Sequence, residues 1–278
     1  MTAERSWRSA ARAGVLGFAL TGSLTWAGVA VPALARDAAS SSALTSAVPA
    51  ASAEAKLQAS RAALSVRVIG YSVNGHPIKA YELGDRNADV TAVALAAMHG
   101  NETAGSVVLT TLRKGNPVHD VHLWVIPRDN PDGTLRDDRH NGHGVDLNRN
   151  FPENWKRETG YYNSGPRPAS EPETRILMRF LDRVDPDFVV TMHQPLDGVD
   201  VYGAKDRPFA RRLSDELKLP TREFNCSGTC HGTLTQWFNA RHAGACVTVE
   251  FPSSPGDRYL HVRAPRGLVR ALGGYRGP

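Results

Sequence analysis

An uncharged run of small and β-branched residues, Val90 to Ala97, stops at Met98-His99-Gly100-Asn101-Glu102. A run of this kind reads as a strand buried on both faces, and such strands sit inside sheets that helices cover. A helix-like pattern begins near Thr103. His99 and Glu102 therefore stand at the C-terminal end of a strand, where open α/β sheets build their sites. Histidine and glutamate are both good zinc ligands, and a catalytic zinc centre takes three protein ligands and leaves one position for water. The rest of the chain has to supply a third ligand, a base and a group that holds substrate.

Other short apolar runs repeat the pattern. Val66 to Val73 and Ile78 to Leu83 flank Asn74-Gly75, a hairpin signal. Val121 to Ile126, Asp187 to Met192 and Cys246 to Val249 read as further buried strands. Helical patterns cover Thr103–Leu112, Pro172–Asp182, Arg207–Leu217 and Thr233–Arg241. Ser170 with Glu173 three residues later reads as a capping box opening the second of these. Alternation of short apolar runs with helices implies parallel strands and helical crossovers. Between Pro127 and Pro172 lies a long polar region dense in Gly, Pro, Asn, Asp and Arg, and a loop of that length inside a compact domain is usually functional.

The N-terminus predicts export. Arg5, Arg8 and Arg12 precede an uncharged stretch, Gly14 to Leu34, and Ala33-Leu34-Ala35 offers a small-x-small cleavage site before Arg36. Residues 1–35 are read as a signal peptide of the general secretory route, 36–62 as an Ala/Ser-rich linker, and 63–278 as the catalytic domain. An uncleaved anchor is the competing reading of the apolar stretch. The expected protein is secreted or wall-associated, monomeric, and not anchored in the membrane after cleavage. Hydrophobic residues make up 41% of the 278, enough for a core. The net charge of +5 is not gathered into a basic run with interleaved aromatics, so no nucleic-acid partner is expected. Weak attraction to an anionic polymer such as a cell wall is compatible with it. Of the three cysteines, Cys246 lies in an apolar run and reads as a buried free thiol, while Cys226 and Cys230 frame a tight loop. Pairings of either with Cys246 remain open at this level.

His99, His193 and Glu250 each follow an apolar strand. His99, Glu102 and His193 would hold zinc, which lowers the pKa of a water and polarises a carbonyl. Glu250 is the candidate to take the proton of that water and pass it to a leaving amine. Asp146 could fix the tautomer of His99 through its outer nitrogen. Asn148 and Arg149 suit a substrate carboxylate, since a guanidinium binds one in a bidentate manner. Arg139 or Arg136 could stabilise an oxyanion.

These residues resemble a zinc metallocarboxypeptidase of the carboxypeptidase A type. The resemblance is carried by His99-Gly100-Asn101-Glu102, Asn130-Pro131-Asp132-Gly133, Gly144-Val145-Asp146-Leu147-Asn148-Arg149-Asn150-Phe151-Pro152, Ser170-Glu171-Pro172-Glu173, His193 and Thr248-Val249-Glu250-Phe251. It implies an α/β/α sandwich around a mixed, mostly parallel, twisted sheet of about eight strands. It implies one zinc ion on His99, Glu102 and His193, and Glu250 as general base and acid. It implies Asn148 and Arg149 as the carboxylate clamp, Arg139 as the group that polarises the scissile carbonyl, Arg136 as a second substrate arginine, and Thr235 as a residue of the side-chain pocket. Thr235 carries neither charge nor bulk, so on this reading preference for a basic C-terminal residue is not supported. The segment Asn225-Cys226-Ser227-Gly228-Thr229-Cys230-His231 lacks the mobile tyrosine of digestive members. A short domain without a pro-domain resembles the bacterial branch that includes murein tripeptide amidases, which cut between γ-D-Glu and meso-diaminopimelate. The expected substrate is a murein peptide or a peptide C-terminus. Alternatives are an N-acyl amino acid deacylase of the aspartoacylase or desuccinylase type, and a non-catalytic wall-binding module. No Gly-x-Ser-x-Gly elbow argues for a serine hydrolase.

Overall fold

A computed structural model describes residues 63–224 and 230–277. The signal-peptide and linker assignments, and Cys226, lie outside the described residues. The chain enters through the hairpin expected from Asn74-Gly75, β1 (Ala63–Tyr71) and β2 (Pro77–Gly84). β3 (Thr91–Ala96), α1 (Ala104–Lys114), a two-residue β4 (Val118–His119) and β5 (His122–Ile126) follow. The long polar region is not structureless. It opens with a short helix, α2 (Pro131–Arg136), and contains 3-10 turns at Leu147–Arg149 and Gly160–Tyr162. Beyond it run α3 (Pro172–Val184), β6 (Phe188–His193), β7 (Leu196–Asp200), α4 (Arg207–Leu217) and β8 (Thr221–Arg222). The chain closes with α5 (Leu234–Arg241), β9 (Ala245–Pro252), α6 (Ala264–Ala271) and β10 (Tyr275–Arg276).

Eight strands form one mixed sheet in the order β1-β2-β5-β3-β6-β9-β7-β8. Its centre, β5-β3-β6-β9, is parallel, while β2 and β7 join it antiparallel on either side. The two faces of β3 show why its apolar run is continuous. Ala92, Ala94 and Ala96 face a core built with Val108 and Leu112 of α1, Phe209 and Leu213 of α4, and Leu268 of α6. Val93 and Leu95 face a second core with Ile176 and Phe180 of α3 and Trp237 and Phe238 of α5. Helices thus cover both faces, as a parallel sheet requires. No helix among the described residues is long and apolar enough to cross a membrane.

One expected local feature is corrected. Ser170 and Glu173 do not form a capping box: the residue preceding α3 is Glu171, which makes no capping bond. The Glu173 carboxylate is engaged elsewhere, accepting from the Val73 amide (3.0 Å) and from Asn141 Nδ2 (3.0 Å). A true capping box appears on α5, where Thr233 and Gln236 satisfy each other's backbone amides.

Candidate active site

The parallel register brings the site together. β3 and β6 are neighbours with Ala96 beside Met192, and β6 and β9 are neighbours with His193 beside Glu250. After β3 the backbone turns at Ala97 (φ 52°), and the amide of Glu102 donates to the carbonyl of His99 (3.1 Å). That turn, rather than a helix, folds Glu102 back onto His99. Gly100 is required here, because a Cβ would stand 2.0 Å from the carbonyl carbon of Gly133. The Asn-Pro-Asp-Gly segment pins this loop. Asn130 caps α2 by accepting from the Gly133 amide (2.8 Å) and donates through Nδ2 to the carbonyl of Met98 (3.2 Å). Asp132 ties in the β1–β2 turn, accepting from Ser72 Oγ (2.7 Å) and the Asn74 amide (3.0 Å).

The nitrogen Nδ1 of His99 lies 2.8 Å from Glu102 Oε1, and Nδ1 of His193 lies 2.8 Å from Glu102 Oε2. All three side chains are buried, and their donor atoms lie within 4.8 Å of one another. Nε2 of His99 stands 3.0 Å from Asp146 Oδ1. An ionised carboxylate only accepts, so this bond keeps a hydrogen on Nε2 and leaves Nδ1, the nitrogen that faces Glu102 and His193, as the one to bind a metal. Nε2 of His193 is held by Thr191 Oγ1 (3.0 Å). Burial alone would lower the pKa of His99, but the facing carboxylates of Asp146 and Glu102 outweigh it and push the ring up to about 9. Burial works against ionised Glu102 and Asp146, yet His99 and their other partners hold both well below the usual range. Two carboxylates, Glu102 and Asp146, buried against the imidazoles make this a place that attracts a cation. Two imidazoles and one carboxylate, aimed at one point and oriented from behind, fit a zinc ion.

Arg139 donates to Asp146 Oδ2 through Nε (3.0 Å) and Nη2 (2.8 Å), which leaves Nη1 3.4 Å from Glu102 Oε1. Asp146 also accepts from the Asn148 amide (2.9 Å) and so caps the 3-10 turn that carries Asn148 and Arg149. The Asn148 side chain accepts from the Leu234 amide (3.0 Å). Arg149 is nearly buried against the ring of Tyr162, 5.0 Å from its centroid, and Arg139 stacks on Tyr161 at 4.9 Å.

A cleft of about 850 Å³ joins these groups. It is lined by His99, Glu102 and His193, by Arg139, Asn148 and Arg149, and by Thr235 and Glu250. Burial raises the Glu250 carboxyl above its ordinary value, with His193 pulling it back. Thr235 bonds Thr248 Oγ1 (2.9 Å) at the cleft wall, and Cys246 behind it is a buried free thiol that burial pushes up to about 12. Cys230 is disulfide-bonded. Arg136 is not brought in. Its Nη2 donates to the carbonyls of Asn141 (2.9 Å) and His140 (3.4 Å), so it closes the loop after α2 and does not line the cleft.

The cleft residues to which the sequence reading gives no role include Tyr161, Tyr162, Asp200 and Glu223. Adjacent tyrosines in a polar loop were a usable signal for the first two. Asp200 ends a strand, Leu-Asp-Gly-Val-Asp, too polar to read as one.

Residues 52–197 match the family model for zinc carboxypeptidase. Murein peptide amidase A of Escherichia coli K12 is 34% identical over 196 residues, covering 63% of this chain and 78% of that protein. The solved murein-tripeptide amidase MpaA of Escherichia coli O157 superposes with a TM-score of 0.61 at 29% identity, covering 74% and 92%. Carboxypeptidase A from Helicoverpa armigera, at 16% identity, shares the fold with a TM-score of 0.63 over 76% and 69%.

Proposed function

The chain belongs to the zinc carboxypeptidase family of peptide hydrolases, and from that premise we propose that it is an exported amidase that releases a carboxylate-bearing terminal residue from murein peptides. The observation that carries the reading is one cleft in which the His99-Glu102-His193 cluster, Glu250 and the Arg149 clamp meet. The similarity to murein peptide amidase A supports a murein peptide as substrate. The basic, Ala-rich N-terminus with its Ala33-Leu34-Ala35 site supports export.

His99, Glu102 and His193 would hold one zinc ion, which supplies Lewis acidity to the scissile carbonyl and acidifies water. Asp146 and Thr191 keep both imidazoles oriented for that task. Glu250, on the strand beside His193, takes the proton of the attacking water and delivers it to the leaving amine. Its raised pKa suits a group that must both accept and give a proton. Asn148 and Arg149 bind the carboxylate of the released residue and so set which bond lies over the centre. Arg139, anchored by Asp146, directs Nη1 toward the same point and stabilises the oxygen that gains charge.

The test is mass spectrometry of products from zinc-loaded protein given L-Ala-γ-D-Glu-meso-diaminopimelate together with a set of linear peptides, with Glu250→Gln as control. Release of diaminopimelate alone is the expected result. Trimming of single residues from the linear peptides instead would make the protein a general carboxypeptidase.

A further inference from the structure

The cleft extends past the catalytic centre along the β7–β9 pair. Gly198 lies opposite Glu250 and Val199 opposite Val249, so the next step of this antiparallel register places Asp200 beside Thr248. Side chains alternate along a strand, so Glu250 and Thr248 share a face, and Asp200 stands on that face with them. Asp200, Thr248 and Thr235 all line the cleft, with Glu223 from the strand end beyond. Two residues of strand are about 7 Å. An extended side chain of five bonds, ending in nitrogen, reaches about 6 Å from its Cα. A terminal residue with its backbone at Glu250 therefore presents the end of such a side chain to Asp200.

The charges there are unbalanced. Asp200 accepts from the Gly203 amide (3.0 Å) and has no ion pair among the described residues. Arg222, its neighbour on β8, packs over Gly198, where a Cβ would lie 2.1 Å from Arg222 Cγ, and donates Nε to the carbonyl of Asp197 (3.1 Å). Lys205 is tied to the carbonyls of Asn239 (3.2 Å) and His242 (2.6 Å). Burial raises the Asp200 carboxyl, backbone hydrogen bonds from Gly203 and Phe224 lower it, and the nearby Glu223 charge adds a smaller rise.

We infer that Asp200, assisted by Glu223, determines specificity by binding a side-chain ammonium on the terminal residue that is released. The inference rests on the hydrolase reading above, and it replaces the neutral pocket expected from Thr235 alone. Diaminopimelate and lysine both carry an ammonium at the required distance.

The experiment compares zinc-loaded protein with Asp200→Asn on L-Ala-γ-D-Glu-X, where X is meso-diaminopimelate, L-lysine or L-norleucine, and on α-linked L-Ala-L-Glu-X with the same lysine and norleucine ends. Norleucine keeps the chain and lacks the ammonium. The expected result is a lysine-to-norleucine ratio in kcat/KM that falls by about 10- to 100-fold in Asp200→Asn, as loss of a charge-assisted bond predicts. Equal losses on both ends, or an unchanged ratio, overturn the inference. If only α-linked peptides are cut and the ratio still collapses, the murein reading fails and the role of Asp200 stands. Calorimetry of free lysine and norleucine gives the same comparison without turnover, and equal affinities for the unsubstituted protein also overturn it.

Discussion

The two halves of the active site are built in different ways. His193 and Glu250 sit on β6 and β9, and His99 follows β3 directly, so their relative positions come from a parallel ladder buried on both faces. Arg139, Asp146, Asn148, Arg149 and Tyr162 sit on the long loop between β5 and α3, where little regular structure holds them. What holds them is a set of buried polar side chains. Asn141 donates to both Glu171 (2.8 Å) and Glu173 (3.0 Å) and receives the Val145 amide (3.1 Å). Asn150 donates to Ser164 O (2.8 Å) and accepts from the Glu171 amide (3.1 Å). The half that would bind metal thus borrows rigidity from the core, while the half proposed to bind substrate depends on each hydrogen bond being made. Substitutions can test that contrast.

The largest effects belong to the strand half. His193→Ala should abolish zinc binding and turnover while the fold persists, checked by metal analysis and circular dichroism. A full zinc complement in this variant would remove His193 from the centre. Glu250→Gln should keep zinc and lose turnover by about 1,000-fold or more, the scale of a lost general base together with its transition-state contacts. Near-normal rates would take Glu250 out of the chemistry.

Asp146 joins the halves, since it orients His99 and clamps Arg139. Asp146→Asn should weaken zinc binding by about 10- to 100-fold, as loss of an outer partner does. It should also lower kcat through Arg139. Competition with a chelator measures the first effect. A variant that loses rate but keeps full zinc affinity would show that the halves are less coupled than the geometry implies.

Legibility from sequence follows the same division. The central strands were readable because burial on both faces leaves an unbroken apolar run, α4 because its buried residues keep a helical spacing, and His-x-x-Glu because it follows one of those strands. β7 was not, because two of its five residues are aspartates and one is glycine. Asp200 was hidden with it. Glu173 was misread because its spacing from Ser170 fits a local cap, whereas the side chain serves a partner 100 residues away, Val73. Arg136 ends α2 and Arg139 follows three residues later, and distant partners separate them: Arg136 turns to the Asn141 carbonyl and Arg139 to the Asp146 and Glu102 carboxylates. Local periodicity carries no information about such distant partners.

In the loop half, Asn141→Ala should cost about 1–3 kcal/mol of stability, since it leaves Glu171 and Glu173 facing each other without a shared donor. Thermal unfolding followed by circular dichroism measures it. KM for the carboxylate-bearing substrate should rise more than kcat falls, because Asn148 and Arg149 lose their footing while the strand half stays intact. A loss confined to kcat would argue that the loop network serves the metal half instead.

The smallest effect on turnover, and the sharpest on pH dependence, belongs to Asp129 at the junction of β5 and α2. Its amide donates to Ala96 O (3.0 Å), its side chain is buried, and Oδ1 has no partner among the described residues. Burial, with Glu173 adding to it, raises its carboxyl to about 8. The folded form then binds a proton that the unfolded chain, with an ordinary carboxyl value near 4, has released. Stability from this group is fully present below that ordinary value and is lost as pH rises through about 8. Between the two values the loss approaches about 1.4 kcal/mol per pH unit. Asn matches the shape of the protonated acid and does not titrate, so Asp129→Asn should flatten the fall in Tm between pH 5 and pH 8 while leaving turnover at pH 7 near normal. Parallel Tm-against-pH curves for the two proteins would mean that another group sets the alkaline limit.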